Sequence, residues 1–340
     1  MKVLLYKEPN ISKDSYEGAR LNKSIRSALE LANIAHTSNQ MSEYNLAHLI
    51  SASEENYLSE ASTKDVPVVV SALMCENDPD NAYLDFKYKD GDITNSLLPK
   101  AYKFLSKASH ILVPCESARA MLVDEGITVP ISIVPPGINF SMFDYEKEEE
   151  KELFYRYFQE DKSRKFVISI GEYDSLEGIN AFIDAGKKCP EATFYFFGHT
   201  TSKIAMHRQI KKLNKKSPKN VKFCEMVPID IYRSALMNAS IFMAPCYKKA
   251  GFVSLLEAMA AKCQLIVREK AMFPDFLKDG ETAYAANFSE TLASLTRDYL
   301  DGKIRPTVEA AYEMVKKASL SEVGGRLKWI YEQELNNKKA

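Results

Sequence analysis

The chain has 340 residues, 46% hydrophobic and 27% charged, a balance typical of a globular protein with two domains of about 150 residues. Its 45 basic and 46 acidic residues give a formal net charge of -1, so no global field indicates nucleic acid as a partner. The sequence contains no run of about 18 apolar residues and no secretory signal at its start, so we expect a cytoplasmic chain without a membrane span.

Short apolar runs alternate with amphipathic stretches along the chain. In chain order, the runs predict strands at 2–6, 46–51, 66–73, 110–115, 131–135, 166–173, 193–198, 221–224, 241–245 and 264–268. The amphipathic stretches predict helices that include 21–35, 118–125, 179–188, 253–261 and 322–334. This alternation predicts an α/β protein, and because the pattern restarts near Phe166, we expect two doubly wound parallel-sheet domains that face a cleft.

We place the domain boundary in the acidic segment 144–161, which we interpret as a solvated helix. The first domain then covers residues 1–143 and the second covers residues 144–318. The last helix, at 319–337, is predicted to pack back on the first domain. Since ligands of such sheets bind beyond the carboxyl ends of the strands, the cleft is the predicted site.

The cysteine and histidine patterns argue against a structural metal site and a disulfide framework. The six cysteines form no C-x-x-C pair, and no Cys/His cluster has the spacing of a zinc site. We therefore expect reduced, buried thiols, no metal and no cofactor. His199, which follows a predicted strand at the edge of the cleft, is the best titratable candidate for contact with a ligand.

Seven strings of residues follow one another in a recognisable order: SHILVPCES at 109–117, IVPPGIN at 133–139, IGEYDSLEGI at 170–179, FFG at 196–198, APCY at 244–247, SLLEAMA at 254–260 and VREKAMFPDFLKDG at 267–280. Together they resemble glycosyltransferase family 4, retaining nucleotide-sugar enzymes of the GT-B fold. The last string and the chain length resemble most the branch that glycosylates diacylglycerol lipids in Gram-positive bacteria. The resemblance is good over roughly residues 105–335 and weak before them.

The resemblance implies transfer of a sugar from a UDP- or GDP-sugar, with retention, to a membrane glycolipid or another glycan acceptor of the cell envelope. It implies that the first domain binds the acceptor and the second binds the nucleotide. It also implies a chain at the inner face of the membrane, held there peripherally.

The resemblance implies that four residues of this chain belong to the nucleotide-sugar site. Glu257 matches the second glutamate of the family's E-x(7)-E element, which holds the ribose, and a carboxylate that opens a helix can accept two hydrogen bonds from a diol. Gly18, before the first helix, matches a glycine loop beside the donor phosphates, and Gly171 and Ser254 lie in matching strings. The alternatives are an ordinary first-turn charge at Glu257 and a plain turn at Gly18.

Three donor-site positions depart from the family pattern. Lys249 stands where the first glutamate is expected, and Leu176 and Glu177 stand where a cation for the diphosphate is expected. At 4 Å and an effective dielectric near 20, exchanging a cation for a carboxylate changes the interaction with a phosphate by about 8 kcal/mol. We hypothesise that Glu177 and Lys249 pair across the donor cavity. The alternative is a register shift of the loop before Phe252.

These departures leave two functions open. In one, the protein is a glycosyltransferase with an unusual donor mode. In the other, it is a catalytically silent GT-B relative that serves as a partner subunit or binding module for another glycosyltransferase. The charge changes favour the second function, whereas the prevalence of transferases among such folds favours the first.

The segment Lys203–Lys222 is strongly basic, with eight Lys or Arg residues and no acidic residue. Such a segment could contact an anionic membrane surface or a partner glycosyltransferase, each basic group contributing about 1 kcal/mol near an anionic surface. The alternative is a solvated helix face.

Overall fold

The chain forms two parallel sheets, each covered by helices. The computed structural model describes residues 1–5, 17–52, 54–74, 83–89, 92–143, 146–173, 176–199, 203–246, 251–269 and 275–338. The first sheet and its surroundings contain the strands Lys2–Leu5 (β1), Ala35–Thr37 (β2), Leu46–Leu49 (β3), Val68–Ser71 (β4), Leu84–Lys89 (β5), Asp92–Leu97 (β6), His110–Val113 (β7) and Ile131–Ile133 (β8). The helices here are Glu17–Leu31 (α1), Glu55–Thr63 (α2), Pro99–Leu105 (α3) and Glu116–Asp124 (α4).

The second part begins after a short 3-10 turn, Phe140–Phe143. Its strands are Phe166–Glu172 (β9), Thr193–His199 (β10), Val221–Glu225 (β11), Ile241–Ala244 (β12), Gln264–Arg268 (β13) and Tyr284–Ala286 (β14). Its helices are Glu148–Phe158 (α5), Leu176–Lys188 (α6), Lys203–Lys216 (α7), Ile229–Asn238 (α8), Phe252–Ala260 (α9), Ser289–Leu300 (α10) and Val308–Val315 (α11), and the last helix of the chain is Leu320–Asn337 (α12).

Both main sheets have the doubly wound strand order. The first runs β2-β1-β3-β4-β7-β8 and the second runs β11-β10-β9-β12-β13-β14, with parallel pairing throughout. Apolar runs such as Val68–Ser71 are buried at every position because helices cover both faces of a parallel sheet. The α/β prediction with two doubly wound sheets is confirmed. The bounds 1–143 and 144–318 stay a prediction.

Several short elements were not predicted. The strands β2 and β14 have three residues each, too few for a period to show. The antiparallel pair of β5 and β6 is rich in polar residues and lies outside both main sheets. Such a hairpin carries no apolar run that would mark it as buried.

The acidic segment contains α5, but the prediction of a solvated helix is wrong for one of its faces. Phe154 is completely buried, and its ring lies 5.1 Å from Phe166 and 5.3 Å from Tyr195, centroid to centroid. The backbone N–H of Phe154 also donates to Ser234 Oγ of α8 at 2.9 Å. The glutamates that suggested a solvated helix occupy the other face, so α5 is an amphipathic helix packed on the second domain.

The last helix, α12, returns to the first sheet. Its buried residues share one hydrophobic cluster with strand β1 and helix α1: Leu320, Val323, Leu327, Ile330 and Tyr331. Tyr331 Oη lies 2.6 Å from His48 Nδ1, and His48 Nε2 lies 2.8 Å from Ser71 Oγ. The chain therefore crosses between the two sheets twice, once after β8 and once before α12.

The buried His48 predicts a pH dependence of stability. Burial lowers the pKa of His48 to about 3, whereas an unfolded histidine titrates near 6.5. Below pH 6.5 the unfolded chain takes up a proton that the folded chain does not bind, so the free energy of unfolding falls toward acid by up to about 1.4 kcal/mol per pH unit. Urea unfolding at pH 7, 6 and 5 measures this slope.

The histidine is tested by substitution. His48→Asn should flatten the slope of unfolding free energy against pH. The matched control, His207→Asn, changes an exposed histidine of α7 and should leave the slope as it is. Equal slopes in the wild type and His48→Asn would contradict the prediction.

Candidate functional site

The starts of helices from the two domains face each other across the cleft. The first turn of α1 contacts the first turns of α9, through Glu17 and Arg20 on one side and Ser254 and Glu257 on the other. At a second place, Asp275 Oδ1 accepts a hydrogen bond of 2.8 Å from the backbone N–H of Glu116, the first residue of α4. Each of these contacts places a carboxylate of one domain at a helix N-terminus of the other, where the helix dipole favours negative charge.

The carboxylate of Glu17 is held at the start of α9. Glu17 Oε1 accepts hydrogen bonds from the backbone N–H of Ser254 at 2.8 Å and from Ser254 Oγ at 2.6 Å. Glu17 is only 3% exposed. Gly251, which precedes α9, makes room for it, because a Cβ at residue 251 would lie 1.5 Å from Glu17 Oε2. The start of α9 is therefore an anion site, and Glu17 occupies it.

The guanidinium of Arg20 joins the same cluster. Its Nε lies 3.0 Å from both carboxylate oxygens of Glu257, and its Nη2 donates to Ser254 Oγ at 2.7 Å. Its Nη2 is also 3.7 Å from Glu17 Oε1, and its Cζ lies 5.0 Å from the centre of the Tyr232 ring. Tyr232 Oη in turn donates to Glu257 Oε2 at 3.2 Å. One buried cation thus serves two buried carboxylates.

Glu257 differs from the residue that the motif predicted. It is the sixth residue of α9 rather than its opening residue, it is 5% exposed, and its oxygens accept from Arg20 and Tyr232. Burial raises the pKa of Glu257, which the charge of Arg20 opposes and the charge of Glu17 reinforces. In this state of the molecule the carboxylate is satisfied by protein groups, and its predicted contact with a ribose stays a prediction.

Gly18 was predicted before the first helix, and that position is wrong. The helix begins one residue earlier, at Glu17, so Gly18 is buried in the first turn of α1. The apolar period starts only at Leu21, which is why the sequence predicted a later start. Gly18 still lies beside the anion site, since its neighbour Glu17 enters that site.

The edge of the second sheet carries the other predicted donor-site residues. Gly171 lies in β9, where a Cβ would meet the Phe196 ring at 3.2 Å. Leu176 and Glu177 form the first turn of α6 and are both exposed. An exposed carboxylate acts through water, so the repulsion of a phosphate at 4 Å falls from about 4 to about 1 kcal/mol. The charge of Glu177 therefore repels a nearby phosphate less than the sequence alone suggested, and its place in a donor site stays a prediction.

Two predictions concern residues that the structure does not fully describe. Lys249 lies outside the described residues, so its pairing with Glu177 and the alternative register shift stay predictions. His199 is the last residue of β10, and its backbone lies at the carboxyl edge of the sheet, in register with Glu172. Its contact with a ligand also stays a prediction.

A cavity of about 560 Å³ opens beside this cluster, between α1, α8 and α9. Arg20 and Glu257 line it together with further charged residues: Lys23, Arg26, Lys147, Glu150 and Arg233. Five cations against two carboxylates give the cavity a positive lining, which fits an anionic ligand. The predicted site residues pointed to α9 but did not include these cations.

The described part of the chain holds neither a metal cluster nor a membrane-spanning helix. Among the described residues, no group of three or more His, Cys, Asp or Glu side chains could hold a metal ion. Within the same part of the chain, no helix has the length and apolar character to cross a bilayer. The described cysteines Cys115, Cys189, Cys224, Cys246 and Cys263 are free thiols.

The basic segment forms α7 and the start of β11. Its exposed cations include Arg208, Lys211, Lys212, Lys215, Lys216 and Lys219. Two of its other members have acidic partners: His207 Nε2 lies 3.1 Å from Glu225 Oε1, and Lys222 pairs with Glu160. Contact of this segment with a membrane or a partner glycosyltransferase stays a prediction.

Two doubly wound domains with facing helix starts and a polar cleft between them define the GT-B class of glycosyltransferase folds. Residues 150–318 match the sequence model of the family described as Glycosyl transferases group 1. Over these residues the predicted resemblance to this family is confirmed.

Relatives of known activity extend the similarity to the whole chain. The chain is 25% identical over 345 residues to the processive diacylglycerol alpha-glucosyltransferase of Acholeplasma laidlawii, with 100% of both chains covered. It is also 22% identical over 190 residues to the alpha-galactosylglucosyldiacylglycerol synthase of Streptococcus pneumoniae, covering 54% of this chain and 50% of the relative.

Solved structures agree with the fold. Anabaena HepE in complex with UDP and glucose superposes with a TM-score of 0.73 at 12% identity, covering 98% of this chain and 100% of that one. A glycosyltransferase from Rickettsia africae superposes with a TM-score of 0.70 at 14% identity and 99% coverage of both chains. The predicted GT-B fold is thereby confirmed.

Proposed function

We propose that this protein transfers a sugar from a nucleotide sugar to a diacylglycerol-type glycolipid. The group 1 match of the second domain supports the transfer of a sugar. Full-length similarity to a diacylglycerol glucosyltransferase supports a lipid acceptor. HepE was solved with UDP-glucose, and that neighbour supports a UDP-sugar as the donor, with a GDP-sugar as the alternative. The family resemblance supports retention at the anomeric carbon as part of this proposal.

One observation carries the proposal: the start of α9 binds an anion. The backbone N–H and the hydroxyl of Ser254 already hold a carboxylate there, and the cation of Arg20 stands beside them. When the sugar leaves the donor, negative charge develops on the diphosphate. Helix N-terminal N–H groups and a guanidinium stabilise such charge without a metal ion of their own.

A silent relative is the second candidate, and the arrangement of Glu257 favours it. The carboxylate expected to hold the ribose is instead bonded to Arg20 and Tyr232. The exposed acid Glu177 at the start of α6 adds to this view. Such a protein would bind a partner glycosyltransferase or a glycan and would have no donor of its own.

Titration with UDP-glucose, UDP-galactose and GDP-mannose separates the two candidates. We expect micromolar binding of a UDP-sugar, followed by incorporation of labelled sugar into vesicles that contain diacylglycerol and anionic phospholipid. If all three donors fail to bind and label, the enzymatic proposal is wrong and the silent relative is favoured.

Ser254→Ala tests the position of the donor. Because the hydroxyl of Ser254 also holds Glu17, the comparison is made in a Glu17→Ala background, where no internal carboxylate competes. There the variant loses one hydroxyl contact to the diphosphate, so we expect UDP to bind about tenfold more weakly, which corresponds to about 1.4 kcal/mol. The matched control is Ser294→Ala on α10, where the hydroxyl donates to the carbonyl of Glu290 in its own helix. Calorimetry with UDP measures both, and equal affinities would place the diphosphate elsewhere.

A further inference from the structure

Glu17 and a donor diphosphate require the same place. We propose that Glu17 is an internal anion that holds the diphosphate position at the start of α9, and that Arg20 is the cation that binds the diphosphate once the donor displaces Glu17. This inference rests on the proposed function, since it assigns the regulation of the donor site and one further binding residue.

The carboxylate of Glu17 fits the start of α9 as a ligand anion would. Glu17 receives both the backbone N–H and the hydroxyl of Ser254, two donors of the kind that bind a phosphate oxygen at a helix start. The residue is 3% exposed, so it contributes an anion in a place from which water is largely excluded. A ligand anion cannot reach Ser254 while Glu17 remains there.

Gly251, which precedes α9, leaves room for this anion. A Cβ at residue 251 would lie 1.5 Å from Oε2 and 1.8 Å from Oε1 of Glu17. Only glycine permits this approach of the carboxylate to the backbone that precedes α9. The same space can accept a phosphate oxygen after the carboxylate has left.

The cation beside this anion site is the guanidinium of Arg20. The second domain carries a carboxylate, Glu177, where a cation for the diphosphate was expected, and a cation of another element can take that role. Arg20 supplies it from α1, with its Nη2 at 2.7 Å from Ser254 Oγ and at 3.7 Å from Glu17 Oε1. A guanidinium in this place can exchange the carboxylate for phosphate oxygens with a small movement of its planar fork.

The exchange couples donor binding to the contact between the domains. Glu17 links α1 to α9, and Asp275 links the second domain to the start of α4. A donor that displaces Glu17 removes the first of these links while leaving Arg20 to bridge the domains through the ligand. Only molecules in which Glu17 has left the start of α9 can bind the donor there. The apparent affinity of the donor is therefore reduced in proportion to the fraction of such molecules.

Calorimetric titration of the full chain with pyrophosphate and with UDP tests the inference. Glu17→Ala removes the internal anion and should tighten pyrophosphate at least tenfold, whereas Glu17→Gln keeps one acceptor and should tighten it less. Arg20→Lys keeps the charge but loses the planar fork and should weaken pyrophosphate about tenfold. Thermal melting of each variant verifies that it is folded.

A matched control and a comparison variant lie on the same helix. The control, Glu30→Ala, removes an exposed acid from the far end of α1, outside the cavity, and should change pyrophosphate affinity by less than twofold. The comparison variant, Lys23→Met, removes another cation of the cavity lining and should weaken pyrophosphate less than Arg20→Lys does. A loss at Lys23→Met as large as that at Arg20→Lys would mean that only the general charge of the cavity matters and would overturn the role of Arg20.

The possible outcomes distinguish a failure of this inference from a failure of the proposed function. If Glu17→Ala binds pyrophosphate no more tightly than the wild type, or if no variant binds it, the inference is wrong. If Glu17→Ala gains pyrophosphate affinity while no nucleotide sugar is bound or turned over, the internal anion stands and the enzymatic proposal fails. If UDP binds equally to the wild type and Glu17→Ala, the donor uses another place and the inference is overturned.

Discussion

Replacing Arg20 by methionine is expected to lower the free energy of unfolding by about 3–5 kcal/mol at pH 8. The guanidinium is the cation that Glu17 and Glu257 share in the buried cluster, at 3.7 Å from the first and 3.0 Å from the second. Methionine keeps much of the apolar stem but leaves both carboxylates without this charge. An uncompensated buried charge costs more than the ion pair itself contributes.

The loss should depend on pH in a defined direction. Burial already raises the pKa of Glu257, and the removal of Arg20 raises it further because the opposing positive charge is gone. A folded carboxyl with a raised pKa binds more protons than the unfolded one, so stability falls as pH rises above about 4.5. The destabilisation by Arg20→Met should therefore be smaller at pH 5 than at pH 8.

Urea unfolding at the two pH values measures both effects. The double variant Arg20→Met/Glu257→Gln removes the cation and one anion together, and it should recover more than half of the loss at pH 8. The control Lys23→Met removes an exposed cation from the same helix and should change stability by less than about 0.5 kcal/mol. A loss below about 1 kcal/mol in Arg20→Met would show that the cluster is not formed in solution.

The sequence predicted the sheets well because each main strand is a compact apolar run buried on both faces. Gln264–Arg268 was predicted with the bounds that the structure has, and the other main strands differ by only a few residues at their ends. The strands β2 and β14 are too short, and the sequence of the β5 and β6 hairpin is too polar, to leave an apolar pattern. The start of α1 was missed because its first turn is polar.

Only about half of the candidate site could be predicted from the sequence. Ser254 and Glu257 could be found because they lie within one string that resembles the family. Their partners could not, since Glu17 lies 237 positions before Ser254 and Arg20 lies 237 positions before Glu257. No local spacing reports a contact of that range. The signal that was present, two opposite charges on either side of Gly18 at a helix start, is common on solvated helices.

Alanine substitutions at two adjacent glycines of α12 should change the free energy of unfolding in opposite directions. A Cβ at Gly324 would lie 2.3 Å from the backbone oxygen of Ala28 in α1 and 3.3 Å from Ala32 Cβ, whereas a Cβ at Gly325 would meet no atom within 4 Å. Backbone cannot yield as a flexible side chain does, so Gly324→Ala must push α12 away from α1. We expect a net loss of about 1–3 kcal/mol in the free energy of unfolding.

Gly325→Ala is the matched control, because it adds the same methyl group one residue further along the same helix. It gains the helix propensity of alanine without a clash and should stabilise the protein by up to about 1 kcal/mol. The difference between the two variants isolates the contact of α12 with α1, since the propensity gain is common to both. Urea unfolding of both variants measures it, and equal changes would contradict the close packing. Because α1 also carries Glu17 and Arg20, a shift of α12 in Gly324→Ala should weaken the link between α1 and α9 as well.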